Sequence, residues 1–267
     1  MTAAEKKLYH YKWDRFQKRY ERIYTVKFKA ALKTQIRQFV SLGYITSTPI
    51  YEVLVDLYTT VGPLWAHKSK LLIRNATAGL KYGHRRFEYK GDIPDIDILL
   101  KDRMPMGFSQ RIVDLMRQYY GIDLLNDAEG ITAYTREVIV RVLSDAALSG
   151  ASINEQVRAL EANSELGAMR ARRIARTETV TAANGAAVIQ AKESGIDKNK
   201  IWLSVDDKRT RHSHRIVDDA KVHIDQPFNV NGTLMMQPGV RKQPNGLEVP
   251  AKEVVNCRCT VVFEVIE

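Results

Sequence analysis

Cysteine is almost absent from this 267-residue chain; the two present, Cys257 and Cys259, sit one residue apart near the C-terminal end. That count excludes a disulfide scaffold, which small secreted domains need and a chain of this size does not. A bridge between the two would close a very tight, strained ring. Long apolar runs are missing too. No stretch approaches the roughly 18 residues of a membrane-spanning helix, and the opening MTAAEKKLYHYKW has no signal-peptide core. The expectation is a protein made and used in a cytoplasm, with no membrane partner. A glycine-rich phosphate loop, His-Glu-x-x-His and Gly-x-Ser-x-Gly are likewise absent, which removes three common enzyme signatures.

What the chain does have is a soluble composition, 45% hydrophobic and 27% charged, and a length that suits two domains. Its net charge of +10 is concentrated. Residues 1–40 hold 11 Lys or Arg against 3 Asp or Glu, whereas the other 227 hold 30 against 28. A basic arm of this kind points to a polyanion or an acidic protein surface as neighbour.

Residues 6–40 read as one amphipathic helix. Trp13, Phe16, Tyr20, Ile23 and Tyr24 form an aromatic stripe at intervals of three and four, flanked by Lys12, Arg15, Lys18, Arg19 and Arg22. The stripe can pack on neighbouring helices, or it can dock on a partner or on DNA through Lys12, Trp13, Arg15, Phe16, Arg19 and Tyr20. After Gly43, Thr48-Pro49 starts a second helix towards Arg74, with a break expected at Gly62-Pro63. Residues 83–107, with three glycines and two prolines, read as an irregular connection. Helices are expected over 108–120 and 127–149, the second closed by Gly150.

Ser152-Ile153-Asn154-Glu155 has the capping-box pattern and predicts a short helix to Ala162. A longer helix is expected from Gly167 to Ser194, rich in small residues and therefore suited to lie against a sheet. Residues 201–205 and 260–265 have strand composition. Asn231-Gly232, Gln237-Pro238-Gly239 and Gln243-Pro244-Asn245-Gly246 mark turns in a long loop over 226–252 that is expected to supply little core. The fold class is thus α+β: a mainly helical region over 1–149, then a small α+β unit with a short sheet over 150–267.

An ordered series of residues runs through the second unit. Arg176-Thr177-Glu178 and Asn184 are followed by Trp202, Asp206, Asp207, Arg209-Thr210-Arg211 and His214, and finally by Cys257-Arg258-Cys259. In order and spacing this series resembles the Mu F-like head morphogenesis domain of tailed bacteriophages, over roughly 150–263. His212-Ser213-His214 stands where the family often has Pro-Ser-His, and Asp218-Asp219 where a glycine is common. The resemblance implies a minor head protein in the virion, assembled in the host cytoplasm near the portal. Its implied partners are the portal protein, other head or scaffolding proteins and packaged DNA, with a role in assembly and in DNA packaging or ejection. The alternative is a head-packaged enzyme or toxin-like effector acting on nucleic acid or nucleotides.

The stretch DDKRTRHSHRIVDD, residues 206–219, admits several chemistries. His214 with Cys257 and Cys259 offers zinc-type ligands, although Cys-x-Cys is shorter than the usual Cys-x2–4-Cys spacing. Two small buried thiols are the other reading, and no other cofactor is expected. His214 as a base oriented by Asp206 or Glu178, or paired with Cys257 as nucleophile, would be catalytic. No enzyme is expected, because the remaining reading needs no substrate. In it Arg211 or Arg209 forks onto Glu178, Asp206 or Asp207 caps the turn after the strand, and His214 donates to a backbone carbonyl. Asp206, Asp207, Asp218 and Asp219 offset the arginines and argue against DNA contact here.

Overall fold

The computed structural model describes residues 3–81, 106–205 and 207–266. Three long helices come first: α1 (Ala3–Leu42), α2 (Thr48–Lys81) and α3 (Met106–Leu148). Short α4 (Ile153–Ala162) and a 3-10 turn (Ser164–Leu166) lead to α5 (Ala168–Glu193). Then follow β1 (Lys198–Leu203), α6 (His212–Ile216), β2 (Lys221–His223), β3 (Phe228–Val230), β4 (Thr233–Met235), α7 (Ala251–Val254) and β5 (Thr260–Val265). The chain is therefore a helical N-terminal region followed by a mixed α+β part.

Two expected breaks do not occur. Helix α2 runs through Pro63, whose missing N–H would normally interrupt it. Tertiary packing holds it: Val61, Trp65 and Ala66 are buried, and a Cβ on Gly62 would come within 3.1 Å of Met116 Cε and 3.4 Å of Ala186 Cβ. Helix α3 likewise continues through Gly121, because one exposed-side glycine costs only about 1 kcal/mol against a long periodic segment. The irregular connection expected over 83–107 lies outside the described residues, except that Met106 and Gly107 already belong to α3.

The capping box forms as its sequence predicts. Ser152 Oγ accepts from Glu155 N, and the Glu155 carboxylate accepts from Ser152 N at 2.7 Å. Helix α5 keeps its expected limits, with Gly167 and Ser194 as its two caps. Its surroundings differ from expectation: it packs chiefly between α1 and α2, and only its edge meets β5. Ala175, Ala182, Ala183, Ala186 and Ala187 have essentially no exposure, so small side chains serve helix–helix approach on several sides rather than one sheet face. Gly185 marks the tightest point, where an added Cβ would fall 2.2 Å from the Tyr120 hydroxyl.

The main sheet is antiparallel in the order β2–β1–β5, with Trp202 opposite Val261. Strands β3 and β4 form a hairpin turned by Asn231 and Gly232, both at positive φ (50° and 84°), as this two-residue turn requires. The 226–252 segment contributes more core than expected: Phe228, Val230, Met235 and Val249 are all buried. One buried cluster takes in Trp13, Phe28, Leu54 and Trp65 together with Ala183, Trp202 and Val261, so the core crosses residue 150. Among the described residues no helix is long and apolar enough to cross a membrane.

Of the two readings of the α1 aromatic stripe, packing on neighbouring helices is the one the structure adopts, although Ile23 stays exposed. Trp13, Phe16, Tyr20 and Tyr24 are buried, and Trp13, Phe16 and Tyr9 pack around Trp65 of α2. Their large apolar area drives them inside, so Trp13, Phe16 and Tyr20 offer no docking surface. Arg15 is exposed, and Lys12 and Arg19 are half-buried.

Candidate functional site

Helix α5 is the spine on which the motif residues are mounted. On one side Arg176 forks onto Glu21 of α1, with Nε 2.8 Å from Oε2 and Nη2 2.9 Å from Oε1. Arg172 adds a third bond to the same carboxylate at 2.6 Å. Burial alone would raise the Glu21 pKa, but these charge-assisted bonds outweigh it and hold the carboxyl below its ordinary range.

Two residues on, Glu178 points elsewhere. The Tyr58 hydroxyl donates to its Oε2 at 3.1 Å, and Arg241 Nη2 donates to Oε1. Arg241 Nη1 also lies 3.0 Å from Asp127 of α3. Burial, together with the nearby Glu178 charge, pushes Asp127 up to about 7. The Tyr58 phenol is raised well above its ordinary value, first by burial and then by Glu178. The expected partner of Glu178 is therefore corrected: Arg211 instead donates to the carbonyl of Val255. Chain reversal at the β3–β4 hairpin delivers Arg241 to Glu178 from 63 residues away, a match that local sequence does not carry.

Thr177 and Asn184 tie α5 to the C-terminal segment. Thr177 Oγ1 accepts from Asn256 N at 3.0 Å. Asn184 uses all of its capacity: Nδ2 donates to the carbonyls of Pro238 and Cys259, both at 3.1 Å, and Oδ1 accepts from Thr260 Oγ1 at 3.0 Å and Val261 N at 3.3 Å. Gly239 must be glycine here. Its φ is +88°, and a Cβ would lie 3.1 Å from the Thr181 backbone.

The 207–219 stretch divides among separate tasks, and Asp206 lies outside the described residues. Asp207 caps its turn by accepting from Arg209 N at 2.9 Å, and receives both Nη atoms of Arg258 at 2.7 and 2.5 Å. Those bonds from Arg258 hold its carboxyl far below the usual range. Arg209 itself stays exposed and reaches Asp207 at 3.4 Å. Asp218 accepts from Ser204 N at 2.7 Å. His212 is exposed and outside the cluster, and His223 pairs with Asp197 at 2.7 Å.

His214, Cys257 and Cys259 do converge, all three nearly inaccessible. The expected bond from His214 to a backbone carbonyl is replaced. Its Nδ1 faces two sulfurs, Cys259 Sγ at 3.3 Å and Cys257 Sγ at 3.7 Å. Its Nε2 lies 3.1 Å from Glu253 Oε2, at ion-pair distance rather than in an aligned hydrogen bond. Ser213 Oγ donates to the same Glu253 oxygen at 2.8 Å. Trp202 closes the site edge-on, its ring 5.3 Å from the imidazole. Hydrogen bonding from Cys259 and His214 draws the Cys257 thiol well below its ordinary pKa despite burial, whereas burial and Cys257 push Cys259 well above.

Sequence reasoning missed Glu21, Tyr58, Asp127, Arg241 and Glu253, and none of them stands in a local pattern that would reveal it. A surface cleft of about 550 Å³, lined by Gly107, Arg111, Asp114 and Glu193 among others, contains none of the motif residues. The polar residues of the motif are mostly buried or half-buried and paired, Glu178 with Tyr58 and Arg241, and Arg211 with the Val255 carbonyl.

Comparison with known proteins agrees with this layout. The family described as Phage Mu protein F like protein matches residues 137–262. An NAD(+)–arginine ADP-ribosyltransferase of Enterococcus faecalis is 37% identical over 123 residues, covering 44% of this chain and 23% of that protein. The minor head protein GP7 of Bacillus phage SPP1 is 26% identical over 127 residues, covering 47% of this chain and 39% of that protein. The chain thus spans well under half the length of either relative. No solved structure matches it. The helix α5 motif, the Asp207–Arg258 pair and the buried His214–Cys257–Cys259 cluster all fall inside residues 137–262, the segment that matches the Phage Mu protein F like family.

Proposed function

We propose that this chain is a minor head protein of a tailed bacteriophage, carried in the virion at the portal and acting in head assembly. The observation that supports the reading is the family match, with its motif residues joined into buried and half-buried pairs that fix one geometry. The similar minor head protein of phage SPP1 adds to it. Partners on this reading are the portal protein and other head or scaffolding proteins.

Contact with packaged DNA belongs to the same proposal. With its aromatics turned inward, α1 presents Arg15, Lys18, Arg22, Lys29, Lys33 and Arg37 outward at helical spacing. Over 22 residues that row extends about 33 Å, and a row of this kind suits phosphates along a duplex. The relative named as an ADP-ribosyltransferase shares a segment amounting to 23% of its length, and its named activity is a property of that whole protein. The paired, buried state of Glu178 and His214 here supports a scaffold over a catalyst.

Mass spectrometry and imaging of particles from the phage or prophage that encodes this chain test the proposal. Recovery of the chain in purified heads at a few copies, localised to the portal vertex, is the expected result. Its absence from procapsids and mature heads alike would overturn it.

A further inference from the structure

We infer that His214, Cys257 and Cys259 form a zinc site. The first ground is distance. Zinc–nitrogen bonds of about 2.0–2.1 Å and zinc–sulfur bonds of about 2.3 Å place N and S about 3.6 Å apart around a tetrahedral ion. The two measured separations, 3.3 and 3.7 Å, bracket that value, and one ligand atom from each residue falls within 4.8 Å of the others.

The second ground is hydrogen-bond capacity. A neutral imidazole nitrogen has one lone pair and can accept from one thiol, yet two sulfurs converge on Nδ1. A cation between them gives each sulfur and the nitrogen a bond. Binding then releases the two thiol protons, and Zn²⁺ with two thiolates and a neutral imidazole is uncharged, which suits a site this deeply buried.

The third ground is the outer shell. Metal-bound histidines usually pass their other ring N–H to a carboxylate, which fixes the tautomer. Glu253 stands at that position, 3.1 Å from Nε2, and is itself held by Ser213. The amide of Cys259 also approaches Cys257 Sγ at 3.4 Å, a contact that stabilises a thiolate. Both sulfurs of the Cys-x-Cys pair reach the same imidazole nitrogen, which removes the spacing objection. Three protein ligands leave the fourth coordination position to a water molecule.

The site is tested on the full chain, expressed without a polyhistidine tag and dialysed against micromolar zinc. Elemental analysis is expected to return about one zinc per chain, and replacement by Co²⁺ to give thiolate charge-transfer absorption with the visible bands of a four-coordinate ion. Cys257→Ser and Cys259→Ser should each abolish those bands. Because either variant can also unfold the core, Glu253→Gln is the companion measurement. It should retain the stoichiometry at saturation but bind zinc about 10–100-fold more weakly. Wild-type protein that stays folded yet holds less than a tenth of an equivalent of zinc, or a cobalt complex without thiolate bands, would overturn the assignment and leave two thiols hydrogen-bonded to an imidazole.

Discussion

Trp13 donates its indole N–H to the carbonyl of Arg258 at 2.7 Å, joining residues 245 apart in sequence. Tyr9, one turn earlier, reaches the carbonyl of Val261. The first helix thereby covers the start of β5 and the Cys257–Cys259 loop. Trp13→Phe keeps most of the apolar contact but leaves the buried carbonyl unpaired, so a loss of about 1–3 kcal/mol is expected in urea denaturation. By the same logic residues 150–267 expressed alone lose the bonds of Trp13 and Tyr9 to Arg258 and Val261. Their amide NMR spectrum should lack the dispersion of the full chain.

Asn184 satisfies four groups at zero exposure. Asn184→Ala strands two carbonyls and an amide in the core, and should cost about 3 kcal/mol or more. Equilibrium unfolding measures it; a loss below about 1 kcal/mol would mean that water replaces the side chain.

Arg241 and Glu178 are in direct contact, whereas Arg211 binds the Val255 carbonyl. A double-mutant cycle between Arg241→Ala and Glu178→Ala should give a coupling of about 1–3 kcal/mol. The cycle between Arg211→Ala and Glu178→Ala should be additive within about 0.5 kcal/mol.

Glu21 supplies acid sensitivity. Its pKa is lowered in the folded state by Arg176 and Arg172 against the opposing effect of burial, so its contribution is fully present above the ordinary glutamate value of about 4.3. It is lost as pH falls through the lower folded value. Thermal melts from pH 6 to pH 3 should therefore fall less steeply for Glu21→Gln than for the wild type, from a lower starting stability.

Lys200 is destabilising in its charged form, where charged Glu21 is stabilising. It is fully buried, its Nζ has no hydrogen-bond partner among the described residues, and it lies 5.4 Å from the Phe228 ring centre. Burial, and secondarily the Lys192 charge, lowers its pKa to about 7. The unfolded chain then binds more protons between about pH 7 and pH 10, so stability rises with pH across that window. Lys200→Met should raise stability at pH 7 by about 1–3 kcal/mol and flatten that rise, both readable from melts at pH 6, 7 and 9.

The amino-acid sequence by itself determined the helices, because periodicity, caps and turn glycines act over a few residues. The limits of α4 and α5, the capping box at Ser152 and the Asn231-Gly232 turn follow from local chemistry. The ordered motif also pointed to the family whose model matches residues 137–262, since order survives without knowledge of contacts. Tertiary structure decided everything that depends on long-range closure. Packing carried α2 through Pro63 and α3 through Gly121, and burial decided between core and docking for the α1 aromatics, in favour of core. It gave Glu178 to Arg241 and Arg211 to a carbonyl. It also brought His214 to Cys257 and Cys259 across more than 40 residues, with Glu253 behind the ring. Charged side chains choose partners by where the folded backbone delivers them, and burial then makes each pairing costly to break.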